Sequence, residues 1–387
     1  MPIDEENRNR RIIQSIEKTG FDFEYYVQSK LKDHGWHVIP NRYYIDDVKG
    51  IEREIDVIAY KSFTRQNTIF YTAMIISCKK RHNSAWMFLT TPLGEDVNYD
   101  LYPVSIVTSD DRLDLLLQKE ESLIMKRLKD NKCFSEIYNT DKRVFAYFQV
   151  NNENWKPEDS PCIYESIISC IKAAEYESIA HKKYIVHKEG KNYKTLYCFF
   201  LLSILDGSMY EVKYNDNGSQ TISEIKEIKY HNRHIINKNE RFYRVHFITK
   251  DLFDDQLNEY DKLASQCTEV FNSLIDEFYI NIWDHQHRKQ LFYKDFRNDL
   301  FWVLYRDFFD YCDAYNLSSN REDFQPSLFY DKTRNMLTIE LFTDENFREF
   351  VDGLNGNETI KAKIKEKLLK HYRYDGLFEI TLSELPF

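Results

Sequence analysis

Asp56 lies in Arg53-Glu-Ile-Asp-Val-Ile-Ala59, and Lys79 ends Ile75-Ile-Ser-Cys-Lys79. Both stretches read as strands, and period-two alternation sets Glu54, Asp56 and Ile58 on one face and Ile55, Val57 and Ala59 on the other. In the second strand Ser77 and Lys79 share a face, and Cys78 is turned away as a small core residue. If the two strands are neighbours, a carboxylate, the Cys78 backbone carbonyl and a lysine meet at their ends. Such a group can bind Mg²⁺ or Mn²⁺, position a water and neutralise an attacked phosphate. The chemistry would be hydrolysis of a phosphodiester.

The elements that must hold these residues follow from the pattern. Ile12, Ile13 and Ile16 predict a helix over 10–18, and Phe23, Val27 and Leu31 a second helix stopped at His34-Gly35. The period then becomes strand-like over 36–44, 53–60 and 69–79, with turns at 46–50 and 62–67. A linker over 90–100, a short strand at 104–107, a helix over 112–129 and a strand over 144–150 follow. A polar segment with two prolines, 151–161, marks a boundary. Beyond it come a helix at 163–181 and strands at 184–187, 196–205, 209–214, 222–229 and 242–249, with hairpin turns at Asp206-Gly207 and 215–218. Two long aromatic-rich helices over 252–283 and 288–316, short strands near 328, 336–342 and 377–382, and a helix at 360–371 complete the chain. The fold class expected is α+β or α/β, in three domains: 1–150, an α+β block at 151–250, and a mainly helical region at 251–387.

Gly20-Phe-Asp-Phe-Glu24 on a helix, Arg53-Glu-Ile-Asp56 on a strand and Ser77-Cys-Lys79 on the next resemble, in order and spacing, the PD-(D/E)XK nuclease superfamily, the restriction-endonuclease-like fold. That pattern is a helix carrying Glu, a strand ending in Asp and a strand ending in (Glu/Gln)-x-Lys. It covers residues 10–90 in motif terms. The resemblance implies a Mg²⁺-dependent endodeoxyribonuclease serving bacterial defence against foreign DNA, with Asp56, Lys79, Ser77 and Glu24 as catalytic residues. It also implies a homodimer, whose interface is expected on the helices of 252–316, or a partner protein from a defence system. Ser77 stands where the family has Glu or Gln, and a hydroxyl is a weak Mg²⁺ ligand beside a carboxylate. The metal site then uses Asp56, the Cys78 carbonyl and a migrated acid, Glu54 or Glu24; otherwise it is disabled, leaving a silent module that binds nucleic acid or a protein. RNA as substrate stays open.

Charge and composition limit the other classes. The 387 residues carry 53 Lys+Arg against 63 Asp+Glu, net −10, which excludes holding nucleic acid by overall charge but not by a local patch. Residues 1–150 carry 22 basic and 23 acidic side chains, the remainder 31 and 40. No acidic residue lies between Asp56 and Glu95, and Lys61, Arg65, Lys79, Lys80 and Arg81 fall in that gap as expected phosphate contacts. The ten glycines build no phosphate loop, dinucleotide fingerprint or nucleophile elbow, so ATPase, kinase, Rossmann and serine-hydrolase readings drop out. Seven scattered cysteines without a CxxC pair, a charged start and no long apolar run predict a reduced cytoplasmic protein without a signal peptide, membrane span or structural zinc. His231-x-x-His234 and His285-x-His287 read as turn or surface histidines. Arg241 and His246 have the Arg-x4-His spacing of HEPN ribonucleases but fall in a strand pattern. The aromatic row from Phe292 to Tyr311 reads as core or subunit interface.

Overall fold

The computed structural model describes residues 5–17, 19–46, 50–93, 105–215, 218–236, 238–318, 324–342 and 344–383. Residues 94–104, which include most of the linker expected over 90–100, lie outside the described residues, as do most of the turn at 46–50 and the tip at 216–217. The chain divides into two compact units, Met1–Ser273 and Leu274–Phe387.

In the first unit, α1 (Glu5–Glu17) and α2 (Phe21–Asp33) precede a meander of β1 (His37–Ile45), β2 (Glu52–Arg65) and β3 (Thr68–Pro92). After β4 (Ser105–Thr108) come α3 (Asp111–Lys119), α4 (Glu121–Asp130), α5 (Lys132–Tyr138), β5 (Lys142–Asn151) and β6 (Pro157–Glu158). The helix α6 (Cys162–His181) leads through β7 (Val186–Lys188) into β8 (Lys191–Tyr214), followed by β9 (Gln220–Ile225), β10 (Glu227–Ile236), β11 (Asn239–Thr249) and α7 (Lys250–Tyr279). One mixed sheet of eleven strands has the order β1-β2-β3-β8-β11-β10 along its main path. β1, β2 and β3 are antiparallel neighbours, whereas β3 and β8 run parallel, joined across α6.

The helix α2 buries Phe23, Val27 and Leu31 and stops where Gly35 takes φ +75° and Trp36 N–H reaches the Leu31 carbonyl. The α6 face of the sheet is filled by Ile58, Ile75, Trp86, Phe88, Leu201 and Phe247 against Ile163, Ile167 and Ile171 of α6. β8 is apolar from Leu196 to Leu205 because both its faces are covered.

Four expectations change. The boundary at 150 falls inside a single sheet, since β3 pairs with both β5 and β8, and the second division lies at Ser273 within α7 rather than at 250. The turn expected at Asp206-Gly207 is absent, because β8 runs straight through it. A Cβ on Gly207 would overlap the Arg81 carbonyl oxygen, so this glycine permits close backbone approach where β3 slips register between Arg81 and Ala85. The helix expected over 112–129 breaks at Glu120 (φ −130°, ψ 44°) into α3 and α4. His231 is also no turn residue: it is buried on β10, and burial together with nearby Arg244 pushes its pKa down to about 3. Arg241 and His246 do lie on a strand, β11.

The second unit holds α8 (Gln286–Tyr315), β12 (Ser327–Asp331), β13 (Met336–Glu340), α9 (Arg348–Gly356), α10 (Glu358–Tyr372) and β14 (Leu377–Thr381), the strands forming a small sheet in the order β12-β13-β14. The α8 aromatics divide: Phe296, Phe301 and Phe308 are core, whereas Trp302 and Tyr305 are exposed and pack on each other. Among the described residues no helix is long and apolar enough to cross a membrane.

Candidate functional site

The antiparallel ladder of β2 and β3 ends at Val57 opposite Ile76. Beyond it the strands splay, and one oxygen of Asp56 takes the place of a ladder carbonyl. Asp56 Oδ2 accepts from the Cys78 backbone N–H at 2.6 Å, the Ser77 hydroxyl at 3.3 Å and the Lys79 ammonium at 3.5 Å. The cause lies in the core: Ile55 and Ile58, three positions apart, both enter the core against α6, so strict alternation fails between them. A break of this kind re-aims a side chain, and here the side chain is Asp56.

Backbone N–H and C=O of one strand residue leave on the same edge. The Cys78 carbonyl therefore shares the edge on which its N–H meets Asp56. Asp56 Oδ1 has no hydrogen-bond partner among the described residues. The Asp56 and Lys79 side chains keep 19% and 24% of their surface, enough for a substrate to reach them. The Cys78 side chain points into the core, and burial drives its thiol pKa well above the ordinary value, which leaves it inert.

Glu24 comes from α2. Its carboxyl pKa is pushed up to about 7, first by burial and then by the field of Asp56, with a smaller push from Glu54 and an opposing pull from Lys79. Glu54 is exposed on β2, opposite Tyr43 of β1, and accepts from the Asn41 side-chain amide. Glu24, Glu54, Asp56, Ser77 and Lys79 thus belong to one electrostatic neighbourhood. The three carboxylates do not close to within 4.8 Å of one another as a set. Hard oxygen donors at Asp56, the Cys78 carbonyl and one further acid suit Mg²⁺ or Mn²⁺, which keep several waters of their own.

The basic residues expected to line the site do not converge on it. Lys80 is held by Asp22 of α2 at 2.9 Å, and Arg81 donates to Cys162 Sγ of α6 at 2.6 Å. Lys61 is bound by Asp261 of α7 at 2.7 Å and lies over the Trp36 ring. Arg65 is exposed and donates to the Thr64 carbonyl. Lys61 and Arg65 stand five and nine positions along β2 from Asp56, about 17 and 30 Å of strand. Of the five cations only Lys79 reaches Asp56.

Two arrangements lay beyond sequence reasoning. Asp22, two positions before Glu24, ties α2 to the strand that carries Lys79. His82, in the segment where β3 slips register, pairs with Asp206 of β8 at 3.2 Å. Both depend on contacts across the sheet that no local pattern reveals.

Cavities of about 480 and 230 Å³ lie elsewhere in this unit, one between β4, α3, α6 and β11 and one between α5, β10, β11 and α7. Neither is lined by Glu24, Asp56 or Lys79. The site is a splayed strand edge. Comparison with family models, curated proteins and solved structures finds no match for this chain.

Proposed function

We propose that the chain is a metal-dependent endonuclease of the PD-(D/E)XK type that hydrolyses DNA phosphodiester bonds in defence against foreign DNA. One observation supports the reading: where β2 and β3 part, Asp56 holds Lys79 and the Cys78 N–H, and Glu24 of α2, the third residue matching the family's motif, lies in the electrostatic field of Asp56 and Lys79. Asp56, through its open oxygen, the Cys78 carbonyl and Glu24 would hold Mg²⁺ or Mn²⁺. When bound, the cation acts as a Lewis acid on the phosphate and lowers the pKa of a coordinated water. Lys79 stabilises negative charge gathering on the phosphate, and the Cys78 N–H and Ser77 hydroxyl fix the orientation of Asp56.

The test incubates the full chain with double-stranded DNA, single-stranded DNA and RNA, in Mg²⁺, in Mn²⁺ and in EDTA. Cleavage in either metal, absent in EDTA and reduced at least about 100-fold by Asp56→Asn and by Lys79→Met, is the expected result. Variants that cut as the parent does would overturn the reading.

A second reading, a silent nuclease-like module that binds nucleic acid or a partner protein, is favoured by Ser77. Its side chain is fully buried and serves Asp56 as a neutral donor in the place of an acid. That reading predicts no cleavage with any cation and nucleic-acid binding that survives Asp56→Asn.

A further inference from the structure

We infer that Phe21 and Tyr25 of α2 form a base-stacking platform beside the site, so that the nucleic acid entering it is single-stranded or locally unstacked. This rests on the nuclease reading above and adds the substrate form to it.

Phe21 and Tyr25 keep 63% and 69% of their surface, among the highest of the large apolar side chains of this unit. Neither ring stacks on another, takes a cation or makes a side-chain hydrogen bond among the described residues. They share α2 with Glu24. At 100° per residue Phe21 and Tyr25 lie about 60° and 100° round the helix from Glu24 in one direction. The buried Phe23, Val27 and Leu31 lie about 20° to 100° in the other. Glu24 therefore stands at the seam between the face packed on the sheet and an exposed aromatic ridge. The rings are one turn apart, about 6 Å along the axis.

The ridge shares α2 with Glu24, whose carboxyl lies in the field of Asp56 and Lys79, so a phosphate met by Lys79 would bring its own nucleotides towards the rings. Aromatic faces add affinity by stacking on bases, and every base offers a face. A continuous duplex does not, because its bases are already stacked on one another. A single strand, or a nucleotide turned out of a duplex, does.

The experiment measures binding of the full chain, in EDTA, to a single-stranded oligonucleotide carrying 2-aminopurine and to the matching duplex, by fluorescence. Both side chains are exposed, so Phe21→Ala/Tyr25→Ala is expected to melt within about 2 °C of the parent. It should bind the single strand at least about tenfold more weakly and lose the change in 2-aminopurine emission, with duplex affinity altered less than about twofold. Tyr25→Phe should behave as the parent, since the ring and not the hydroxyl stacks. Equal loss for both oligonucleotides, or no loss for either, overturns the proposal. So does a double variant that loses self-association in sedimentation while binding the single strand normally, which would assign the ridge to a second copy of the chain. A parent that binds and stacks but cuts nothing in Mg²⁺ or Mn²⁺ overturns the nuclease reading and leaves the platform standing.

Discussion

Glu24 is the candidate site residue whose protonation the fold shifts. A carboxyl held near pH 7 in the folded chain and near 4.5 in the unfolded one makes the native state bind more protons between those values. Stability from this group is fully present below about pH 4.5 and is lost as pH rises through about 7. Glu24→Gln removes that loss. In metal-free buffer the variant should melt above the parent at pH 8, with the difference shrinking to nothing near pH 4.5, as read by thermal denaturation across pH. A constant difference at all pH values would place the effect in packing instead. Much of the site was legible at this scale because antiparallel register is arithmetic: strands that pair Val57 with Ile76 must bring Asp56 to Ser77 and Cys78. What was not legible is the break between Ile55 and Ile58, since it arises from how two isoleucines fill a core formed by α6, over a hundred residues away. Lys61 and Arg65 lie away from Asp56 for a related reason. Nearness in sequence along a strand is distance in space, and Lys61 found its counter-charge on α7.

At the scale of elements, β3 and β8 position the site, and Gly207 sets how closely they approach at its edge. Adding a methyl group at Gly207 forces backbone against backbone, because the nearest atom is the Arg81 carbonyl oxygen and no flexible side chain can yield. Gly207→Ala should cost about 1–3 kcal/mol, the range for overpacking a well-filled interior, and lower the melting temperature by several degrees. Gly353→Ala, on α9 with open space around it and no positive φ, is the control: it should be neutral or slightly stabilising, as Ala is the better helix former. Equal melting temperatures for Gly207→Ala and the parent in a thermal scan would mean that β8 turns at Gly207 as the sequence suggests. That suggestion was reasonable, because Asp-Gly between apolar runs is the ordinary hairpin signal. It failed because the partner strand, β3, is long enough to pair on both sides of Gly207. The helices α2, α6 and α8 were legible almost to their ends, each having one apolar stripe and a clear stop. α9 was not expected at all, being only nine residues long.

At the scale of the whole chain, the acidic excess sits in residues 151–387, while the residues that would act on a phosphate sit before them. That asymmetry invites division at 150, and the sheet argues against it. β3 pairs in parallel with β8 from Thr68 to Thr90, opposite Lys194 to Lys213, and its core side is closed by α6. A fragment ending at residue 150 keeps Glu24, Asp56 and Lys79 yet loses the strand on one side of β3 and the helix over Ile58, Ile75 and Phe88. It would expose a strand edge some twenty residues long and an apolar face together, the two features most prone to uncontrolled association. Residues 1–150 expressed alone should therefore aggregate or give an expanded chain without a cooperative melt, as read by size-exclusion chromatography and circular dichroism. A monomeric 1–150 fragment with a sharp melting transition would show instead that the N-terminal helices and meander fold independently, and that β8 is added to a finished domain. Parallel pairing between strands a hundred residues apart makes the first outcome the expected one, since neither β3 nor α6 can bury its apolar face until the other is in place.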